Sequence, residues 1–119
     1  MIADINMEVA NEGKAELAKH NIEADLMELD IRDSDAVNAA ANEIKNKYGK
    51  VDILVNNAAT AEVGVACEDV EDEFWMEHMR ILMDGVFYTC RAFGNIMLEQ
   101  KSGSIVNMGS ISGFIVNKP

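Results

Sequence analysis

The sequence predicts an α/β domain built around a parallel β-sheet. Four short apolar runs with the composition of strands alternate with longer segments whose apolar residues recur at helical spacing. Strands that alternate with helices and are joined by short turns form βαβ units, in which the strands run parallel. With 119 residues, of which 49% are hydrophobic, the chain is expected to form one domain with a core of its own.

The chain begins with the end of a predicted strand, residues 1–5, followed by a predicted helix. Asn6 is a residue type that caps helices, and the helix it starts is expected to run from Met7 to about His20. The buried side of this helix is expected to carry Val9, Gly13 and Leu17.

The next unit is the clearest helical pattern in the chain. A short strand over residues 26–30 precedes Asp33, which can cap a helix. That helix has an apolar stripe at positions i, i+3, i+4, i+7 and i+11, formed by Val37, Ala40, Ala41, Ile44 and Tyr48. Gly49 is expected to end it, and a buried strand follows over residues 51–55.

A long helix is predicted in the second half of the chain, from about Glu71 to Glu99, after a loop over residues 60–69. Its apolar positions cover more than one face. Either the helix is buried between a sheet and other helices, or one face contacts a partner subunit. Ile105 and Val106 then form a short strand that is apolar on both faces, as in the interior of a parallel sheet.

Charge and composition exclude several classes of partner. The net charge of −11 disfavours nucleic acid and anionic membranes as partners. No apolar run approaches the roughly 18 residues of a membrane span. Cys67 and Cys90 lack the spacing of metal ligands, so the sequence predicts no metal site and two reduced thiols in a cytoplasmic protein.

Two motifs at predicted strand ends point to a family. Residues 51–59 read V-D-I-L-V-N-N-A-A, and residues 103–113 read G-S-I-V-N-M-G-S-I-S-G. The second motif is not a hydrolase nucleophile elbow, because Ile111 stands where G-x-S-x-G needs serine. Together the motifs resemble D-I/V-L-V-N-N-A-G and G-x-I-V-N-x-S-S of the short-chain dehydrogenase/reductase family, and the resemblance extends over essentially the whole chain.

The resemblance implies a partial Rossmann-like, doubly wound parallel sheet. The chain would supply strands two to five with the intervening helices, as a single truncated dinucleotide-binding domain over residues 1–119. The glycine-rich loop and the Tyr-x-x-x-Lys segment of the family are absent from these residues. The chain is therefore expected to be an interior portion of an NAD-dependent oxidoreductase, inactive by itself.

Three segments are expected to bind the cofactor. An acidic residue at the end of the second strand accepts hydrogen bonds from the adenosine ribose, which assigns Asp4, beside Ile5, to this role and favours NAD over NADP. By resemblance, Asp30 and Ile31 flank the adenine ring. For Asp4 and Asp30 the alternative is a solvated carboxylate at a strand end.

The resemblance places three further residues along the cofactor, in the turn after residues 51–55. Asn57, Ala58 and Ala59 match the Asn-Ala-Gly part of the family's Asn-Asn-Ala-Gly turn. Ala59 replaces the usual glycine, which adds strain if that position requires a positive φ.

Ser110 matches the catalytic serine of the family, and Ser110 and Ser112 are expected to contact the substrate, a secondary alcohol or ketone. Residues 113–119 resemble the subgroup that interconverts sugar alcohols and ketoses. Leu82 stands where an asparagine usually supports the proton relay. Family members commonly pair through the helix predicted over residues 71–99, so the parent protein is expected to form a homo-oligomer.

Two other functions stay open at the level of sequence. One is a nucleotide-sugar epimerase, which shares the fold and a bound nicotinamide but usually lacks the Asn-Asn-Ala turn. The other is a non-catalytic piece, either truncated or used for subunit pairing.

The strand order also has a structural consequence. In the doubly wound order 3-2-1-4-5-6, the first strand lies between strands two and four. A chain that starts in strand two has two strand pairs without the strand that joins them. We expect such a chain to aggregate, to be molten, or to rearrange so that strands two and four pair directly.

Overall fold

A computed structural model of the chain describes residues 1–60 and 65–110, and these form an α/β structure with parallel strands. In chain order, the elements are β1 (Ile2–Asp4), α1 (Met7–Lys19), β2 (Leu26–Glu28), α2 (Ser34–Tyr48), β3 (Ile53–Asn56), a short 3-10 helix (Cys67–Asp69), α3 (Asp72–Met79), a π-helical segment (Arg80–Gly85), α4 (Val86–Gln100) and β4 (Ser104–Asn107). The predicted fold class is confirmed.

The four strands form two separate parallel pairs. β1 pairs with β2, with Ile2 opposite Leu26, and β3 pairs with β4, with Ile53 opposite Ser104. Within the described residues, no ladder joins one pair to the other. Direct pairing of family strands two and four, which correspond to β1 and β3, was one of the expected outcomes. The described residues do not show this pairing.

The predicted helix caps are confirmed. The Asn6 side chain accepts hydrogen bonds from the backbone N–H groups of the first turn of α1, at 3.0 and 3.3 Å. Asp33 does the same for α2, at 2.8 and 3.0 Å. Gly49 ends α2 with a φ of 77°, a left-handed conformation that glycine adopts without a steric penalty.

The inward face of α1 differs from the prediction by one residue. Ala10 is buried, whereas Val9 is 52% exposed. A Cβ atom on Gly13 would lie 3.7 Å from the Ile2 side chain, so Gly13 does face β1 as expected. The prediction of Val9 was wrong because the packed face follows the spacing from Ala10 to Gly13 and on to Leu17.

The long predicted helix is three consecutive segments rather than one regular helix. α3 and α4 are joined by the π-helical turn Arg80–Gly85. A π-helix has more residues per turn than an α-helix, and the periodicity of the sequence did not reveal this change. One face packs inward, and the other exposes large apolar side chains. These exposed residues are Trp75, Met76, Leu82, Met83, Phe87 and Leu98.

Packing of α2 against α4 forms the centre of the core. Val37, Ala40 and Ala41 of α2 lie in one buried cluster with Ala92, Phe93 and Ile96 of α4. Leu29, just after β2, belongs to the same cluster, and Leu54 of β3 packs against it. Both strand pairs are thus anchored on the same two helices.

Strands β3 and β4 are not buried on both faces, contrary to the prediction. Leu54 of β3 packs toward the core, and Ile105 of β4 faces α4 but is still 37% exposed. Ile53, Val55 and Val106 face the other way and are 65%, 54% and 43% exposed. Successive side chains of a strand point to opposite faces, so α4 covers one face of this pair and leaves the other bare. None of the helices in residues 1–60 and 65–110 is long and apolar enough to cross a membrane.

The bare face and unpaired edges predict that the isolated chain aggregates or is molten. An unpaired strand edge offers backbone groups for pairing with another chain, and a bare apolar face offers a surface for non-specific packing. Size-exclusion chromatography with light scattering and thermal unfolding measure both properties. A soluble monomer with one sharp transition would contradict the expectation.

Two adjacent substitutions in β3 provide a matched control for this prediction. Val55→Lys places a charge on the bare face and is expected to increase the soluble fraction. Leu54→Lys places the same charge toward the core and is expected to reduce it.

Candidate functional site

The candidate site residues lie at the carboxyl ends of the strands. Asp4 is the last residue of β1, and its backbone oxygen accepts a hydrogen bond from Leu29 at 3.1 Å, which brings Asp30 to the same edge. In the second strand pair, the backbone N–H of Met108 donates to the backbone oxygen of Asn56 at 2.9 Å, and Ser110 follows two residues after Met108. Ligands of open α/β sheets bind outside these carboxyl ends.

Asp4 is half-buried and belongs to the turn that leads into α1. Its Oδ1 accepts a hydrogen bond from the Asn6 N–H at 2.8 Å. In the described part of the chain, no basic nitrogen lies within 4.0 Å of this carboxylate, so its charge is not neutralised by an ion pair. The neighbouring Ile5 is 55% exposed and offers an apolar surface beside it.

Asp30 is held by Arg32 through several hydrogen bonds. The Arg32 Nε lies 2.9 Å from Oδ1 and 3.0 Å from Oδ2, and Nη2 lies 2.7 Å from Oδ2. The backbone N–H of Arg32 also donates to Oδ1, at 2.9 Å. The Arg32 side chain lowers the pKa of the Asp30 carboxyl through these hydrogen bonds, so Asp30 is a charged acceptor at neutral pH.

The turn that carries Asp30 is also attached to the long helical region. Arg32 forms a second ion pair through Nη1, with Glu77 of α3. Ile31 lies against the backbone of Gly85, where a Cβ atom would be only 2.6 Å from Cδ1 of Ile31. Only glycine lets the end of the π-helical segment approach this closely.

The turn after β3 is exposed and unstrained. Asn57, Ala58 and Ala59 are all exposed. The non-glycine residues with positive φ in the described ranges are Asn21 and Lys101, so Ala59 does not adopt that conformation. The expected strain from alanine at the usual glycine position is therefore absent.

A polar network that the motifs did not identify joins the ends of β3 and β4. Asn56 Nδ2 donates to Asn107 Oδ1 at 2.8 Å, and the buried Thr89 Oγ1 donates to Asn56 Oδ1 at 2.8 Å. Asn56 Nδ2 also lies 3.3 Å from Cys90 Sγ. Two signals were available in the sequence: an asparagine stands at the end of each motif strand, and Thr89 is a polar residue on the inward helix face.

The two turns that follow the strands begin directly after this network. Asn57 directly follows Asn56, and Ser110 lies three residues after Asn107, where it is exposed. Ser112, the other predicted substrate residue, lies outside the described residues, as do residues 113–119. No group of three or more metal-ligating side chains occurs in the part of the chain that the structure describes.

Comparison with protein families gives one clear match. The family model described as short chain dehydrogenase matches residues 1–118. Galactitol 2-dehydrogenase of Rhizobium johnstonii is 40% identical over 90 residues, which are 76% of this chain and 35% of that protein. The L-tagatose-forming galactitol 2-dehydrogenase of Cereibacter sphaeroides is 43% identical over the same shares of the two chains. The chain thus spans about a third of these relatives.

Solved structures share the fold over nearly the whole chain. The protein gox2181 superposes with a TM-score of 0.91 and 36% identity, over 99% of this chain and 46% of its own. An NAD⁺-bound xylitol dehydrogenase superposes with a TM-score of 0.89 and 25% identity, over 97% of this chain and 44% of its own. A gluconate 5-dehydrogenase from Burkholderia cenocepacia, in complex with NADP and tartrate, has a TM-score of 0.85 and 29% identity. The match covers 98% of this chain and 45% of that protein.

The contact between Gly85 and Ile31 can be tested by substitution in a completed chain. We define the completed chain as residues 1–119 joined to the flanking segments of the Rhizobium johnstonii relative. Gly85→Ala is expected to lower its free energy of unfolding by about 1–3 kcal/mol, because the new methyl group overlaps Ile31. Denaturant unfolding measures this loss, and Ile31→Ala in the same chain should restore part of it.

Gly94→Ala is the matched control in the same helical run. Its methyl group would lie 3.9 Å from Ile105, an ordinary contact, and alanine has the higher helix propensity. The control is expected to be neutral or stabilising. Equal losses for Gly85→Ala and Gly94→Ala would show that the Ile31 contact does not determine the effect.

Proposed function

Because the chain belongs to the short-chain dehydrogenase family, we propose that it is part of an NAD-dependent oxidoreductase acting on a secondary alcohol or ketone. The galactitol and xylitol dehydrogenases among its relatives favour a sugar alcohol and the corresponding ketose as substrates. The observation that carries the proposal is the pair of carboxylates, Asp4 and Asp30, at one carboxyl edge of the β1–β2 sheet.

These carboxylates fit the adenosine half of NAD. A carboxylate only accepts hydrogen bonds, and the ribose hydroxyls and the adenine amino group all donate them. Asp4 lies at a strand end, with a local hydrogen bond to Oδ1, and would accept from the ribose hydroxyls. A 2′-phosphate would meet its uncompensated negative charge, so the preference is for NAD.

The remaining cofactor contacts are assigned by position. Asp30 would accept from the adenine amino group, with Ile31 and Ile5 as apolar surface beside the nucleoside. Asn57, Ala58 and Ala59 would lie along the ribose next to the nicotinamide, on the turn that follows β3. This turn is exposed, so it is accessible to a cofactor.

The chemistry depends on Ser110 and on the bound nicotinamide, which accepts or donates a hydride at the substrate carbon. Ser110 would donate a hydrogen bond to the substrate oxygen and orient it, and Ser112 would contact the substrate nearby. Neither Tyr48 nor Tyr88 has a lysine four residues later, so the family's tyrosine–lysine base is not among these 119 residues. We therefore propose that residues 1–119 form a single truncated dinucleotide-binding domain, inactive alone.

Assembly and location are part of the same proposal. The exposed Trp75, Met83 and Phe87 give the helical run over residues 71–99 an apolar surface suited to a second subunit. We propose a homo-oligomer through this surface in the parent protein. The free Cys90 thiol is consistent with a reducing compartment, for which we propose the cytoplasm.

The completed chain is expected to prefer NAD over NADP because of Asp4. Steady-state kinetics with both cofactors and a polyol substrate measure kcat/KM for NAD divided by kcat/KM for NADP. Asp4→Ala should reduce that ratio, since it removes both the hydroxyl acceptor and the repulsion of a 2′-phosphate. Glu8→Ala, which removes a carboxylate from the first turn of α1, is the control and should leave the ratio unchanged. A preference for NADP in the unmodified chain would refute the assignment.

The isolated chain of 119 residues is expected to form no NADH from polyols. General acid–base catalysis contributes about 10²–10⁴ in rate, and the family's base is missing from these residues. In the completed chain, Ser110→Ala should lower kcat substantially while the Kd for NAD stays unchanged. Polyol-dependent NADH formation by the isolated chain that Ser110→Ala abolishes would overturn the expectation of inactivity.

A further inference from the structure

We propose that Arg32, held by Glu77, is a positioning residue that orients the Asp30 carboxylate toward the amino group of adenine. The inference rests on the proposed function, since it assumes that Asp30 faces the adenine ring of a bound dinucleotide. It adds two residues outside the sequence motifs, Arg32 and Glu77, and a part for α3 in cofactor recognition.

The first step is the number of acceptor sites on Asp30. Each carboxylate oxygen has two lone pairs. Oδ1 accepts from the backbone N–H of Arg32 at 2.9 Å, and Oδ2 accepts from Nη2 at 2.7 Å. Nε, which carries a single hydrogen, lies 2.9 Å from Oδ1 and 3.0 Å from Oδ2 and is shared between them. Three N–H groups thus meet four lone pairs, which leaves the carboxylate one acceptor site for a ligand.

The second step is the orientation of Arg32 itself. A guanidinium group is planar, and a carboxylate that binds it in a forked arrangement is fixed in orientation as well as in charge. The remaining nitrogen, Nη1, is paired with Glu77 of α3. The side chains of Asp30, Arg32 and Glu77 are 35%, 32% and 42% exposed, so the cluster is partly shielded yet accessible to a ligand.

The third step is the chemistry of the base. Adenine carries an amino group, a hydrogen-bond donor, at the position where hypoxanthine carries a carbonyl oxygen, an acceptor. A carboxylate with one oriented acceptor site favours the donor and repels the acceptor. The cluster therefore selects adenine through Arg32, and loss of Arg32 should reduce that selection more than it reduces binding as a whole.

The test measures dissociation constants for NAD and for nicotinamide hypoxanthine dinucleotide by calorimetry, in the completed chain and without turnover. The unmodified chain is expected to bind NAD about tenfold more tightly or better, as for a hydrogen bond to a charged group. Arg32→Ala should bring the ratio of the two constants close to one. Arg32→Lys keeps the charge but lacks the forked geometry, and should also lose most of the ratio.

Two variants complete the design. Glu77→Gln keeps an acceptor for Nη1 and removes the charge, and should lower the ratio by a smaller factor than Arg32→Ala. Arg91→Ala removes an arginine that contacts Ser34, at 2.9 Å, rather than Asp30, and should leave the ratio unchanged.

The outcomes separate the inference from the proposed function. If Arg32→Ala and Arg32→Lys weaken both dinucleotides equally and keep the ratio, Arg32 has only a structural role and the inference is wrong. If the unmodified chain binds both alike, Asp30 does not read the amino group and the inference is also wrong, whereas NAD-dependent polyol oxidation would leave the proposed function intact. Selective NAD binding without turnover would overturn the proposed function alone. Failure to bind either dinucleotide would overturn both.

Discussion

The packing of α2 against α4 is the interaction on which the rest of the structure depends. No ladder joins β1–β2 to β3–β4 in the described residues, so backbone hydrogen bonding does not hold the two strand pairs together. The buried cluster of Val37, Ala40 and Ala41 with Ala92, Phe93 and Ile96 does so instead. Alanine at three of these positions lets the helices approach closely, and side chains near β2 and in β3 then pack on the same cluster.

The same packing explains how residues distant in sequence reach one site. Because α4 lies under β3 and β4, Thr89 can hold Asn56, which in turn holds Asn107. Because the π-helical segment lies against Ile31, the turn after β2 is attached to the helices at two points, Gly85 and Glu77. The helical run that exposes an apolar face therefore also supports the turn assigned to adenine.

Local signals predicted the local features of the fold. Asn6, Asp33 and Gly49 marked helix ends correctly, because capping depends on a few neighbouring backbone groups. The burial of Ile53, Val55 and Val106 was mispredicted, because burial depends on what lies over a face rather than on the composition of the strand. The π-helical turn and the Arg32–Glu77 pair were also missed. Both lie where segments 45 residues or more apart in sequence come into contact, and periodicity within one segment does not report such contacts.

We propose that the two strand pairs are halves of one sheet, which a strand between β1 and β3 joins in the completed chain. Since Ile2 N–H bonds toward β2 and successive N–H groups alternate in direction, the Ala3 N–H points away from β2. By the same alternation, the N–H groups of Ile53 and Val55 point away from β4. Their exchange with deuterated water in the completed chain tests the claim most directly. We predict that all three amides are as strongly protected as Leu54, whose N–H lies inside the β3–β4 pair. Fast exchange at Ala3, Ile53 and Val55 with slow exchange at Leu54 would contradict the account.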